Sequence, residues 1–272
     1  MNRELKLIKE EIARADCIVV GAGAGLSTSA GLEYGGERFE RLFPDYIKEY
    51  GLTDMYSSAF YDFPTSNAFW GYFCKHILHN RYESEINDCY SNLLGLLEGK
   101  NYFVITTNAD HLFLRNGFPK ERLFYLQGDY GLFQCSVPCH QKTYDNQERV
   151  YHMVDSLCDL KIPDELLPLC PECGAPMDVN LRKDGSFVED EGWHAGLERY
   201  QKFLGEMKKP LFLELGVGYN TPSIIKYPFW RMTHRDKKAR YLCLNAEEGA
   251  PPKEISKKSV YLCGDIATML RD

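Results

Sequence analysis

The stretch CIVVGAGAGLSTSAGL, residues 17–32, decides the fold. Its apolar run, Cys17-Ile18-Val19-Val20, reads as a buried parallel strand. The run empties into alternating glycines, Gly21, Gly23 and Gly25, with Ser27 placed to serve as a helix N-cap. Strand, tight turn and helix start in that order predict a dinucleotide-binding corner. A turn without Cβ atoms lets the backbone approach a phosphate, and a helix N-terminus offers unpaired N–H groups with partial positive charge. Such turns also need glycine for purely structural reasons. The spacing is G-A-G-A-G-L-S rather than G-x-G-x-x-G, and no second strand ending in Asp or Glu about 20 residues on is legible to hold a ribose.

Further buried runs follow the same logic. Tyr102–Thr106 is a strand ending in the polar cluster Thr107-Asn108-Ala109-Asp110, and residues 123–126 form a strand ending in Gln127-Gly128-Asp129. Amide and carboxylate groups thereby reach one sheet edge, the carboxyl edge at which α/β sheets bind ligands. Residues 211–215, 240–244 and 259–263 are three more strands, ending in Gly216-Val217-Gly218-Tyr219-Asn220, in Asn245 and in Gly264-Asp265. Helices are predicted over residues 4–15, from Ile86 to Leu97, over 196–207 and from about Asp265 onward. The fold class is therefore α/β, a Rossmann-like doubly wound parallel sheet with a small inserted module. The sheet domain comprises residues 1–32, 99–130 and 196–272. Residues 33–98 are a helical insertion whose aromatics (Phe39, Phe43, Phe60, Phe63, Phe69, Trp70, Phe73) form a satellite core, and residues 131–195 hold a metal module and the loop after it.

A chain of 272 residues with a net charge of −7 can bury a large core and is poorly suited to general nucleic-acid or anionic-membrane binding. The basic cluster Arg235, Lys237, Lys238 and Arg240 reads as a solvated face. No signal peptide and no membrane-length apolar run is present, which predicts a cytoplasmic protein. Ten cysteines are then expected to be reduced, buried or metal-bound. Cys135-x3-Cys139 and Cys170-x2-Cys173, 30 residues apart and flanked by Pro138, Pro171 and Gly174, predict a closed structural Zn2+ site. His140 and Cys158 are alternative ligands, while Cys17, Cys74, Cys89, Cys243 and Cys263 are assigned to core packing.

Taken in order, Gly23-Ala24-Gly25-Leu26-Ser27-Thr28, Thr107-Asn108-Ala109-Asp110, Gln127-Gly128, the four-cysteine module, Gly216, Asn245 and Gly264-Asp265-Ile266 resemble the sirtuin family over nearly the whole chain. The resemblance implies an NAD domain, a small zinc-ribbon and helical module, and a reaction cleft between them. It places Gly23, Ala24 and Gly25 at the pyrophosphate and Asn108 and Asp110 at the nicotinamide and its ribose. It also places Gly216 and Gly218 beside the cofactor and Asn245 and Ile266 at the adenosine end.

The departures from the deacylase pattern carry more information. Gln127 stands where those proteins have a histidine, and Glu33-Tyr34-Gly35-Gly36-Glu37-Arg38-Phe39 replaces the P-D-F-R segment. Thr107 replaces a glutamine, Gly216-Val217-Gly218 replaces G-T-S, and the polar stretch from Asn180 to Gly185 replaces the peptide-binding F-G-E segment. This pattern is similar to the macrodomain-linked microbial branch, which is associated with ADP-ribosylation of a lipoyl-carrier protein related to the glycine-cleavage H protein.

Every sirtuin-type reaction begins by breaking the nicotinamide–ribose bond, which asks for positioning and a site for the leaving amide. Deacylation further needs a group that takes a proton at neutral pH; a histidine can do so and Gln127 cannot. The expected function is thus NAD-dependent protein ADP-ribosyl transfer, with Asn108, Asp110, Gln127 and Arg182 as catalytic candidates. Arg182 would steer an anionic acceptor or the pyrophosphate. Glu33, Arg38 and Phe39 are candidates to cover the nicotinamide, and Ser27 completes the cofactor set. The expected partners are a protein acceptor and a macrodomain hydrolase. Rival readings are an NAD-dependent deacylase, an NAD hydrolase, and a non-catalytic NAD-sensing adaptor.

Overall fold

The computed structural model describes residues 3–219 and 222–271, so Asn220 lies outside the described residues. The strands in chain order are β1 (Cys17–Ala22), β2 (Tyr102–Thr106), β3 (Leu123–Tyr125), β4 (Gly128–Cys135), β5 (Thr143–Asp145), β6 (Met177–Leu181), β7 (Pro210–Leu215), β8 (Arg240–Asn245) and β9 (Ser259–Cys263). Six of them form one parallel sheet in the order β3-β2-β1-β7-β8-β9. The predicted doubly wound sheet is therefore present, strand for strand. Every residue of β1, β2 and β7 is buried, the pattern expected where helices cover both sheet faces.

The chain divides into two compact units. The first, residues 3–31, 86–127 and 192–271, contains the parallel sheet. One layer of its core joins Val19, Phe103, Ile105, Phe212 and Tyr241 of the strands to Phe229 of the helix Lys226–Arg235. Phe212 and Phe229 meet with ring centroids 5.1 Å apart. Burying each such ring contributes about 1.5–3 kcal/mol. On the amino-terminal helix Arg3–Arg14, buried Glu11 pairs with Arg240, so Arg240 is an internal partner and not part of an exposed basic face.

The second unit, residues 32–85 and 128–191, brings the helical insertion and the cysteine module into one body, where the sequence had divided them. The helix Cys89–Leu96, expected to close the insertion, groups with the sheet unit. Within the second unit the helix Ser66–Ile77 buries its own Tyr72 and Phe73, and buried Phe43 and Tyr46 pack against Tyr72. Phe39, Phe43, Trp70 and Phe73 occupy the predicted aromatic core, but Phe60 is 64% exposed and Cys263, in the sheet unit, is exposed too. The antiparallel β5-β4-β6 sheet carries the cysteine module. Gly128 opens it at φ +97°, and a Cβ there would stand 1.9 Å from the carbonyl oxygen of Asn180, so only glycine admits the β4–β6 pairing.

Candidate active site and zinc centre

The loops after β1 and β7 meet at the point where the strand order reverses, and they meet backbone to backbone. Gly23 N–H donates to Leu215 O and Gly25 N–H to Gly216 O. A Cβ on Gly25 would lie 2.8 Å from Gly216 Cα, and Gly216, at φ +60°, would place one 2.4 Å from Leu26 N. These glycines are thus required first by loop-on-loop packing. The helix Ala24–Ser29 begins one turn earlier than the sequence implied, with Gly23 at its N-cap, so Ser27 is not a cap. The amides of Gly23, Gly25 and Leu26 are bonded to carbonyls, so the expected row of unpaired N–H groups is reduced. Gly218 differs from its neighbours: among the described residues nothing lies within 4 Å of a Cβ placed there.

Two asparagines clamp these loops from either side. Asn108, at the end of β2, donates from Nδ2 to Gly23 O at 3.0 Å, and Asn245, at the end of β8, donates from Nδ2 to Val217 O at 3.1 Å. Asn108 Nδ2 also donates to Ser27 Oγ at 3.0 Å. Ser27 Oγ donates to Asp110 Oδ2 at 2.5 Å, and Tyr90 OH lies 3.0 Å from Ser27 Oγ. Because a serine hydroxyl has one proton and it is spent on Asp110, Tyr90 is the donor in that last bond. The other Asp110 oxygen accepts Leu112 N–H at 3.0 Å. All four residues are buried. Burial and the Asp110 charge push the Tyr90 hydroxyl well above its ordinary pKa, which keeps it a donor. Tyr90 and the interior position of Ser27 were invisible in the sequence, where Tyr90 reads as one more apolar position on its helix.

Ile266 opens the helix Ile266–Leu270, capped by Asp265, whose carboxylate accepts Thr268 N–H and the Ser29 hydroxyl. Gln127 is half-buried beyond β3, and the neighbouring Leu126 carbonyl accepts Trp193 Nε1 at 3.2 Å.

Other sequence candidates fall in the second unit. Arg38 donates to the Glu33 and His79 carbonyls and to Asn80 Oδ1, binding the glycine-rich loop to the π-helical turn Leu78–Tyr82. Asp129, expected among the groups at the ligand edge, is instead paired with Arg81 at 2.8 Å. Arg182, just past β6, pairs with Glu189 at 2.5 Å and lies 4.3 Å over the Phe187 ring.

The four sulfurs of Cys135, Cys139, Cys170 and Cys173 lie within 4.8 Å of one another, with two pairs at 3.7 Å. Four thiolates at zinc bond lengths of about 2.3 Å stand about 3.8 Å apart at the corners of a tetrahedron, so the set fits a closed structural Zn2+. His140 is no ligand of this set. Its Nδ1 is 2.9 Å from Cys139 Sγ and its Nε2 2.7 Å from Tyr144 OH, the supporting position outside the metal shell. Cys158 is outside the cluster.

The topology and the four-cysteine module define a sirtuin fold. A solved sirtuin structure concerned with substrate affinity superposes with a TM-score of 0.63 over 100% of this chain and 97% of the other, at 18% identity. A Sir2 variant crystallised with a p53 peptide and NAD gives 0.61 at 21% identity, over 100% of this chain and 96% of the other. No family model matches the chain. A "Protein ADP-ribosyltransferase" of Staphylococcus aureus (strain Mu50 / ATCC 700699) is 39% identical over 272 residues, covering 99% of this chain and 86% of that protein. A Fusarium oxysporum f. sp. cubense protein named "Probable bifunctional ADP-ribose hydrolase/ADP-ribosyltransferase" is 37% identical over 241 residues, 82% of this chain and 39% of that protein. The chain belongs to the sirtuin-fold protein ADP-ribosyltransferases.

Proposed function

We propose that the chain cleaves NAD at the nicotinamide–ribose bond and transfers ADP-ribose to a side chain of a protein acceptor. The observation that carries this reading is the combination of Gln127 with an intact, buried Asn108–Ser27–Asp110–Tyr90 network at the carboxyl edge of β1 and β2. In the reaction the C1′–N bond breaks with its electron pair passing to the pyridinium nitrogen. An acceptor heteroatom supplies the new pair to C1′ and releases its proton. Asn108 and Asp110 hold fixed dipole and charge beside the leaving amide and its ribose, and they do so without changing protonation. Gln127 orients a ribose hydroxyl by hydrogen bonding, but a neutral amide takes no proton at pH 7. The chain therefore retains the first half of sirtuin chemistry and lacks the base used for acyl transfer.

The glycine crevice between the β1 and β7 loops is our NAD site. Gly23, Ala24 and Gly25 lie toward the pyrophosphate, with Ala24 the amide of that turn best placed for it. Gly216 and Gly218 flank the cofactor, and Asn245 and Ile266 support the adenosine end. Arg38 holds the glycine-rich loop to which we assign a cofactor role, and Arg182 meets an anionic group by exchanging Glu189 for it. A lipoyl-carrier protein is the acceptor we put forward, with a macrodomain hydrolase as functional partner; the fused hydrolase and transferase named in the Fusarium relative supports the second pairing.

The test measures nicotinamide release and acceptor mass for the wild-type protein, Asn108→Ala and Gln127→His, using a lipoylated carrier protein. One ADP-ribose added by wild type and absent with Asn108→Ala is the expected result. Deacylation of an acylated peptide in a parallel assay, without any acceptor adduct, would instead establish a deacylase.

A further inference from the structure

The helix Lys226–Arg235 turns Phe229 inward onto the sheet and leaves Tyr227, Arg231 and Arg235 exposed. Positions four apart stand above one another on a helix, so these three form one outward stripe. Beside the stripe the helix packs against the short helical turn Lys253–Lys258, and a groove of about 490 Å3 lies there. Its floor is apolar, built from Tyr227, Trp230, Pro252 and Ile255, with the Tyr227 and Trp230 rings 5.4 Å apart. Its surroundings are cationic. Arg231, Arg235, Lys237, Lys238, Lys253 and Lys257 are all exposed, against two acids in the same segments, exposed Glu254 and half-buried Asp236. None of the six cations has an ion pair among the described residues. This is a positive face on a chain of net charge −7. The negative end of the helix dipole accounts for Arg235, but not for Arg231 in the middle of the helix or Lys253 on the facing turn. Arg235 leads into β8 and Lys258 into β9, so the cationic end of the groove lies toward the amino edge of the sheet, opposite the edge that carries Asn108 and Asn245.

We propose that this groove docks an acidic segment of another protein, whose large apolar side chain enters the cavity while flanking carboxylates meet Arg231 and Arg235. An apolar floor with a cationic rim is satisfied by a ligand that carries both characters at once. A phosphodiester backbone supplies charge but nothing to fill the floor, and an extended polyanion or an anionic membrane also meets the repulsion of a chain with net charge −7. A guanidinium takes a carboxylate through two parallel N–H···O bonds, so two arginines one turn apart fix the register of the segment along the stripe. The proposal stands independently of the reaction assigned to the opposite edge.

The probe is a short dye-labelled peptide in which a Leu-Phe pair is flanked on both sides by Glu and Asp, titrated with the protein by fluorescence anisotropy. Wild type binds it saturably, and the affinity falls as salt rises. Arg231→Glu combined with Arg235→Glu weakens binding about tenfold or more, through lost pairing and added repulsion. Tyr227→Ser weakens it about threefold to tenfold. Lys48→Glu combined with Lys202→Glu, the same change of charge at two exposed lysines elsewhere, leaves affinity within about twofold of wild type. Thermal unfolding checks that each variant is folded, and if the arginine pair variant is not, Tyr227→Ser and the lysine pair decide. Absence of saturable binding by wild type would overturn the proposal, as would wild-type affinity in the folded arginine pair variant or in folded Tyr227→Ser. Equal weakening in the lysine pair variant would reduce the effect to overall charge, and equal binding of a peptide with Ser in place of Leu-Phe would show that the floor is idle; each result overturns it too. Tighter binding of a DNA duplex or of phosphatidylserine vesicles than of the peptide would overturn it by assigning the face to that partner.

Discussion

Ser27 Oγ donates to Asp110 Oδ2 across 2.5 Å while Asn108 Nδ2 donates back to the same serine oxygen at 3.0 Å. With Tyr90 as a second donor, this hydroxyl has no bonding capacity left over, and three chain segments are tied through it. Ser27→Ala removes a donor from a buried carboxylate and an acceptor from two buried donors. It is expected to cost about 1–3 kcal/mol in chemical denaturation and to suppress nicotinamide release. Tyr90→Phe removes one donor and leaves Asp110 served, so its stability loss is about 1 kcal/mol.

The two glycines after β7 are separable by mutation. Gly216→Ala forces a Cβ to within 2.4 Å of Leu26 N at φ +60°, and strain of that kind costs about 1–3 kcal/mol before any clash is relieved. Gly218→Ala meets nothing within 4 Å among the described residues and is expected to leave the melting temperature unchanged. NAD titration of both variants then separates packing from cofactor contact, since only a bound ligand would make Gly218→Ala weaken binding.

Cys170 is buried and donates its backbone N–H to Ala175 O, one turn of the knuckle that closes the four-sulfur set. Metal analysis of the purified protein is expected to give one Zn2+ per chain. Cys170→Ser or a strong chelator removes it and loosens residues 128–191, seen as lost hydrogen-exchange protection in β4 and β6. Retention of that protection without zinc would show that β4–β6 pairing alone holds the unit.

His76 is buried among Tyr34, Tyr72, Phe73 and Tyr130, and neither ring nitrogen has a hydrogen-bond partner among the described residues. Burial lowers its pKa to about 3, and burial likewise lowers that of His79 to about 4. Both are neutral in the folded protein near neutrality. As pH falls below about 6.5 the unfolded chain binds protons that the folded chain refuses, so stability declines with acid. For His76 the slope is about 1.4 kcal/mol per pH unit until about pH 3. Urea unfolding between pH 7 and 4 checks this, and His76→Phe should flatten the slope.

Under the β7 loop, Glu214 receives Lys226 Nζ, Tyr241 OH at 2.8 Å and Cys243 Sγ at 3.5 Å, all of them buried. Lys226→Met leaves an uncompensated buried carboxylate and costs about 3–5 kcal/mol. Adding Glu214→Gln to that variant recovers much of the loss, because the penalty belongs to the unpaired charge and not to the pair itself. A double-mutant cycle by equilibrium unfolding reads the difference.

The parallel strands were legible from sequence because a strand buried on both faces must be a continuous apolar run, as in Ile18-Val19-Val20 and Tyr102-Phe103-Val104-Ile105. The zinc ligands were legible because four thiolates from two tight turns impose their spacing on the chain. Asn108, Asp110 and Asn245 were legible as polar groups at strand ends. What escaped was set by partners distant in sequence. Ser27 looks like a cap until Asp110, 83 residues away, is seen to take its proton. Tyr90 looks apolar until its hydroxyl is found on Ser27, and Asp129 looks like a ligand group until Arg81 claims it. Local patterning alone determined the strands, the parallel sheet and the cysteine centre, because each depends on the residue types within one short segment. Tertiary structure alone decided which polar groups are already spent on one another, and that the insertion and cysteine module fold as one unit, because hydrogen bonds and packing across tens of residues leave no periodicity in the chain.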